Sequence, residues 1–416
     1  MKHKVQRTFH PVGQGAFYSE VHTIGTRQFT VVYDCGNWRR KQSAVEVVKR
    51  FKVPCVDILY ISHFHADHIS LIDELVKHAQ IKKVYIPLLS NEERAVLMAY
   101  YQNKGQAYSG CFNIVSAPRK VFGPKTEVVA VAPVLYPEST EKDDFDVLAE
   151  EDYDSFWSSR IVKSNTVERI SEQMGEASTN WVFVPHNYEE VKRRVILENL
   201  FKSEQIPFSS SVPLTLSFIT RYQDKLVKVY GKLNGGMNEN SMFLYSGPDV
   251  RSHRVAGYRV RNMQCSNNYN CIQKNRMGSI AFSCAGHYLS DVRCRRCKKN
   301  SGANCLKCLA EPLGLVRAGC VYTGDGNLNL VNISNEFLPY WDNVGTVLIP
   351  HHGSPHNFLP GFLSAHQLWC PVSVGSCSPY KNHPSDAVLT AIGQQNGFPI
   401  CVTDCFHSRF EVTFEN

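Results

Sequence analysis

Apolar and polar positions alternate with a period of two through much of residues 5–36, which predicts a β-meander. Its clearest runs are 17–22 and 28–33, separated by Gly25-Thr26-Arg27. Val12-Gly13-Gln14-Gly15 reads as a turn, and the second run ends in Asp34-Cys35-Gly36. The pattern then switches between helical spacing and β-rich runs. Helices are expected over 42–51, 71–77 and 91–101, with strands over 56–61 and 83–87. A strand region at 126–137 is limited by Pro133 and Pro137. Further strands are expected at 181–185, 241–247, 319–326, 344–350, 371–375, 401–403 and 410–414. Helices are expected at 188–202, 362–368 and 385–396. This alternation predicts a layered α/β protein.

Two stretches break the pattern. Residues 141–154 carry eight acidic side chains against Lys142, and read as a solvated excursion. The strands at 241–247 and 319–326 read as a hairpin interrupted by an insertion of roughly 250–318, since lengthening a loop adds little closure entropy. The expected organisation is therefore a first part at 1–249 (with 138–230 an additional, partly helical segment), the insertion, and a second part at 319–416. The chain has 416 residues, 43% hydrophobic and 20% charged, ordinary for a globular protein. It has no apolar run of about 18 residues, so no membrane span is expected. A basic start without a following apolar core argues against a secretory signal, and a cytoplasmic location is expected.

The candidate chemistry gathers in Ile61-Ser62-His63-Phe64-His65-Ala66-Asp67-His68, between an apolar strand and a helix. Ligands in layered α/β proteins bind at such carboxyl strand ends. His63 and His65 are two apart and point the same way in an extended segment. They can offer two imidazoles to one metal ion, and Asp67 with His68 can serve a second. Three more candidates follow apolar strands: Asp325 in Thr-Gly-Asp, His351 with His352 in His-His-Gly-Ser354, and His383 in His-Pro. His186, also at a strand end, reads as a turn histidine or a further ligand.

His-x-His-x-Asp-His after an apolar strand resembles the signature of the metallo-β-lactamase-fold hydrolases. His-His-Gly-Ser and the Ser-Val-Gly…His-Pro tail narrow the resemblance to the ComEC-like branch, the hydrolase domain of bacterial DNA-uptake channels. It covers about 1–135, 235–247 and 319–416. It implies a four-layer αββα fold, here with an inserted zinc-ribbon-like module, and two divalent ions, zinc or manganese. His63 and His65 would hold one ion, Asp67, His68 and His351 the other, and Asp325 would bridge them. His352 would support the site or replace His351. Asp34 would orient the histidine loop. His383 would protonate a leaving group or contact a phosphate, and Ser354 would bind an oxyanion. The histidine that many superfamily members carry before the bridging aspartate is missing, which leaves one metal site weak. Only Asn234, Asn238, Asn240 and Ser241 stand near that place.

Cysteine use and charge add a second theme. Seven of the fifteen cysteines fall between Cys265 and Cys308, and the scattered remainder read as reduced core residues. Cys294, Cys297, Cys305 and Cys308 form two C-x-x-C knuckles with the spacing of a structural zinc site. Cys265, Cys271, Cys284 and His287 are candidates for a second. The insertion holds thirteen Lys and Arg against Asp291 and Glu311, a local charge of +11, so the rest of this +7 chain is negative. A basic, zinc-stapled knob fits a phosphate backbone, with Tyr258 and Tyr269 available to stack on bases. The alternative is a docking element for a partner protein. Together these features predict a metal-dependent phosphodiesterase or nuclease using metal-activated water. A hydrolase of a small ester, amide or phosphodiester, or of a peptide, would use the same metals. A non-catalytic binding subunit with a structural metal site is the reading from a different class.

Overall fold

The computed structural model describes residues 2–136, 157–175, 179–207, 214–233, 241–249, 259–265, 317–364, 368–375, 383–395 and 397–416. Among them, two large sheets lie face to face. The first runs β13 (Arg259–Cys265), β18 (Phe410–Glu415), β1 (His3–Phe9), β2 (Phe17–Ile24), β3 (Arg27–Cys35), β4 (Cys55–Tyr60), β5 (Gln80–Pro87), β6 (Glu127–Ala132), β8 (Arg160–Lys163). It is antiparallel from β13 to β3 and parallel from β3 to β8. The second runs β17 (Gly397–Val402), β16 (Leu368–Ser373), β15 (Val344–Val347), β14 (Gly319–Tyr322), β12 (Phe243–Pro248), β10 (Trp181–His186), β9 (Glu168–Arg169).

Side-chain alternation builds three cores. Ile58 and Tyr60 of β4 and Trp181 and Phe183 of β10 pack between the sheets. Leu59 and Ile61 face helices outside the first sheet. Val182, Val184, Phe243 and Tyr245 face helices outside the second. Helices therefore cover both outer faces, and the architecture is the four-layer αββα arrangement of the metallo-β-lactamase fold. Stacked aromatics dominate the central layer: ring centroids are 5.0 Å apart for Tyr33 and Tyr322 and 4.9 Å for Tyr60 and Tyr85. Each such pair contributes about 0.5–1.5 kcal/mol beyond its buried area. The helix Asn91–Lys104 starts at a capping box, with Ser90 and Glu93 satisfying each other's backbone N–H groups. No helix among the described residues is long and apolar enough to cross a membrane.

Several elements differ from expectation. The 126–137 region splits at Pro133. Its second half, β7 (Val134–Tyr136), leaves the sheet and pairs in parallel with β11 (Tyr188–Glu190). The helix expected from 188 consequently begins at Val191 and runs to Ser203. The strand expected over 319–326 stops at Tyr322. At 362–368 the chain forms a short 3-10 turn at Pro360–Ser364, and Leu368 already belongs to β16. Helices Ser109–Ser116, Ile170–Met174 and Leu216–Lys232 and strands β8, β9 and β13 were not expected. The additional segment after 138 is woven into the fold, because β8 extends the first sheet and β9 and β10 extend the second.

β12 and β14 pair antiparallel as the interrupted hairpin requires. Of the insertion, the backbone of β13 and residues 317–318 are described. Cys271, Cys284, His287, Cys294, Cys297, Cys305, Cys308, Tyr258, Tyr269 and the Cys265 side chain lie outside the described residues, as does the acidic stretch 141–154.

Candidate metal centre

His63, His65, Asp67 and His68 follow β4, Asp325 follows β14, and His351 and His352 follow β15. All stand at carboxyl strand ends, and the paired sheets bring them together. Close backbone approach holds the loop in place. Gly36 lies so near it that a Cβ there would sit 2.5 Å from the Asp67 carbonyl. The Ala16 N–H donates to that carbonyl at 2.9 Å. Gly324, at φ +53°, faces Ser62, whose Cβ would be 2.7 Å from any added side chain.

Each histidine is held by an outer partner. Asp34, at φ 57°, accepts from the Ser62 N–H and hydroxyl, both at 2.7 Å. Its Oδ2 lies 2.8 Å from His68 Nδ1, and His68 Nε2 lies 3.0 Å from Asp325 Oδ1. His63 Nδ1 is 3.0 Å from Ser62 Oγ and 3.1 Å from Ser241 Oγ. Ser241 Oγ also accepts from the Asp325 N–H at 3.1 Å. His352 Nδ1 donates to the Ser373 carbonyl at 2.7 Å, and its Nε2 lies 3.1 Å from Asp67 Oδ2. Fixing one ring nitrogen determines what the other presents.

Burial and charge polarise the site. Burial pushes His63 well below its ordinary pKa, with His68 adding to the effect. Burial likewise brings His65 down to about 4. For His68 burial acts downward, but Asp325, Asp34 and Asp67 outweigh it and the imidazole is raised. Burial opposes the charge on Asp67, yet His68 and His352 hold it well below the usual carboxylate range.

Three buried atoms, His63 Nε2, Asp67 Oδ1 and Asp325 Oδ2, have no hydrogen-bond partner. Leaving a buried charged oxygen unpaired costs more than the ~1–3 kcal/mol of a neutral group, so these atoms fit a cation. Two groups have ligand atoms mutually within 4.8 Å: His63, His65 and Asp67, and Asp67, His68, Asp325 and His352. Their imidazole and carboxylate donors suit zinc or manganese. Asp67 is common to both groups. Asp325, expected to bridge, directs Oδ1 to His68 and Oδ2 toward His63 at 3.7 Å.

Of the adjacent histidines, His352 joins the buried group. His351 lies at the rim, its side chain 26% exposed, with Nε2 3.8 Å from Asp325 Oδ2 and Nδ1 2.9 Å from Asn357 Oδ1. His351, His352 and Gly353 all have positive φ, of 47°, 53° and 78°, and this tight turn separates the two rings. The His383 ring stands edge-on to His351 at 5.4 Å. Burial brings His383 down to about 4, with His351 and His352 adding to the effect. Ser354 is buried and accepts from the His356 N–H at 3.3 Å. His186 stays outside the cluster, with Nδ1 3.2 Å from Asn165 Oδ1.

Sequence reading missed Asn357, which also donates to the Asp325 carbonyl at 3.1 Å. It missed Tyr230 too, whose hydroxyl lies 3.2 Å from His65 Nε2. The Thr215 cap followed by Ile219, Leu226 and Val229 at helical spacing was the available signal for the helix that carries Tyr230.

No curated protein matches the chain. Among solved structures, unliganded yeast PDE1 aligns over 99% of each chain at 8% identity and a TM-score of 0.33. Residues 16–159, from β2 through the His63–His68 cluster to the start of β8, match the Metallo-beta-lactamase superfamily profile, so the chain carries a domain of that superfamily with a buried His/Asp cluster able to hold metal.

Proposed function

We propose that this protein is a metal-dependent phosphodiesterase acting on nucleic acid. The observation that carries the hydrolase reading is the convergence of His63 Nε2, Asp67 Oδ1 and Asp325 Oδ2 as buried atoms without partners. His63, His65 and Asp67 would hold one ion; Asp67, His68, Asp325 and His352 would hold the other. When bound, such ions supply a lowered water pKa and positive charge beside a phosphoryl group. The protein's own groups do the rest. Ser62 and Ser241 hold His63 by Nδ1, and Asp34 orients His68. His351 and His383 at the rim would contact the substrate's phosphate oxygens. The nucleic-acid part of the reading is supported by the +11 insertion, whose cations suit a polyanion. Its two cysteine sets would bind structural zinc.

The test is cleavage of labelled single- and double-stranded DNA and RNA by purified protein with added manganese or zinc, beside Asp67→Asn. The wild type is expected to cut, and the variant to be slower by about 10³-fold or more, equivalent to ~4 kcal/mol of transition-state stabilisation. Folded, metal-loaded protein that cuts none of these substrates would overturn the nucleic-acid reading.

A further inference from the structure

The segment His63-Phe64-His65 is gripped from the helical side as well as from the sheet side. Two helices do this, and one of them lies in the additional segment that no family motif covers. From Asn91–Lys104, the Tyr101 hydroxyl donates to the Phe64 carbonyl at 2.6 Å, fixing the backbone between the two histidines. From Leu216–Lys232, the Tyr230 hydroxyl meets His65 Nε2 at 3.2 Å. Tyr230 is itself held, because its ring stacks on Tyr100 with centroids 4.1 Å apart and planes at 19°. Lys104 Nζ lies 5.2 Å from the Tyr100 ring. The phenol therefore has little freedom to turn away from the imidazole.

We propose that Tyr230 is a positioning residue for the metal centre, selecting the His65 tautomer protonated at Nε2 so that the Nδ1 lone pair is the one offered to metal. The chemistry is restrictive. A neutral imidazole has one N–H and one lone pair. With Nε2–H donated to the Tyr230 oxygen, Nδ1 is the only nitrogen left to coordinate. His63 is arranged in the opposite sense, since its Nδ1 is engaged by Ser62 and Ser241 and its Nε2 has no hydrogen-bond partner. The two histidines would thus serve one ion through different nitrogens, each specified by hydroxyl groups. His65 is the ligand with the least support from the sheets, and a helix outside the matched family segment supplies its partner.

This inference rests on the metal-site reading above, and its test separates the two. Stripped wild type, Tyr230→Phe and Tyr100→Leu would be titrated with zinc against a chromogenic competing chelator. ¹⁵N-histidine spectra of the metal-free proteins would report the His65 tautomer. Phenylalanine keeps the ring and its stacking but removes the hydroxyl. Outer partners of metal-bound histidines are typically worth 10–100-fold in affinity. Tyr230→Phe should therefore weaken one zinc equivalent by about that factor, leave the other unchanged, and lose the uniform Nε2–H signal. Tyr100→Leu, which loosens the stack but keeps the hydroxyl, should give a smaller loss in the same site. Zinc affinity within about 2-fold of wild type in folded Tyr230→Phe would overturn the proposal while sparing the metal site. So would a change confined to KM at saturating metal. Wild type that binds no zinc would overturn both.

Discussion

Two clusters of buried polar side chains sit in this fold, and they are completed in opposite ways. In the first, between the sheets, Glu20 accepts from Arg7 Nε at 2.7 Å, Tyr322 at 2.8 Å and Ser246 at 2.7 Å, with His22 Nε2 at 3.1 Å. Arg7 also donates to the Ala318 and Ser246 carbonyls. No atom of Arg7, Glu20, His22 or Ser246 lacks a partner. The second cluster begins three residues beyond Tyr322, at Asp325, and there the buried carboxylates keep oxygens that receive no hydrogen bond from the protein. A closed network of this kind is structural, since its charges are neutralised by the chain itself. An open one, made of buried histidines and aspartates, is shaped for something the chain does not contain.

The contrast predicts a hierarchy of effects. Arg7→Ala strands the Glu20 carboxylate in the core and should cost about 3–5 kcal/mol of stability, read as a fall in denaturation midpoint with or without metal. Asp67→Asn loses its pairing with His68 and His352 but leaves no charge stranded without a partner, so it should cost clearly less metal-free stability than Arg7→Ala. If it instead destabilised the metal-free chain as much as Arg7→Ala, the open cluster would be structural after all. Next in size is the effect of metal on the wild type. Zinc at 100-fold its Kd should add about 2.7 kcal/mol, visible as a raised melting temperature, and Asp67→Asn should abolish most of it. Acid gives a more gradual loss. Burial, aided by His22, brings His3 down to about 3, and burial brings His10 to about 3. Both are neutral when folded, whereas the unfolded chain takes up protons below 6.5. Their contribution is complete above pH 6.5 and is lost as pH falls toward 3, by up to about 1.4 kcal/mol per pH unit for each. Melts of metal-free protein between pH 7 and 4 would check it. A flat profile would mean that these histidines meet water.

What the sequence made legible was whatever lies close together along the chain. His63, His65, Asp67 and His68 fall within six residues, so their meeting follows from local geometry alone. The layered fold was legible from strand periodicity, and Asp325 from its place after an apolar run. The choice between His351 and His352 was not legible, because it turns on positive φ at consecutive residues, which no side-chain pattern encodes. Tyr230 was hidden for another reason. It is 165 residues from His65, and the apolar stripe that marks its helix does not say which loop the helix packs against. The edge position of β13 was equally hidden, since seven residues of mixed character decide their pairing only when a partner strand is already in place.

That edge strand has a practical consequence for dissecting the molecule. The insertion leaves the second sheet after Pro248 at the end of β12, yet β13 pairs with β18 of the first sheet, beside the strand that carries the N-terminus. The insertion thereby laces the two halves of the sandwich together and shields the backbone of β18. Removing residues 250–318 as a unit would strip that cover and leave an open row of amides and carbonyls, the usual template for intermolecular strand pairing. A truncation of that kind that failed the proposed cleavage test would then report self-association as readily as lost substrate binding. A cut confined to 266–316, which keeps the lacing strand, removes the cysteine knuckles and most of the cations while leaving the sheet edge covered.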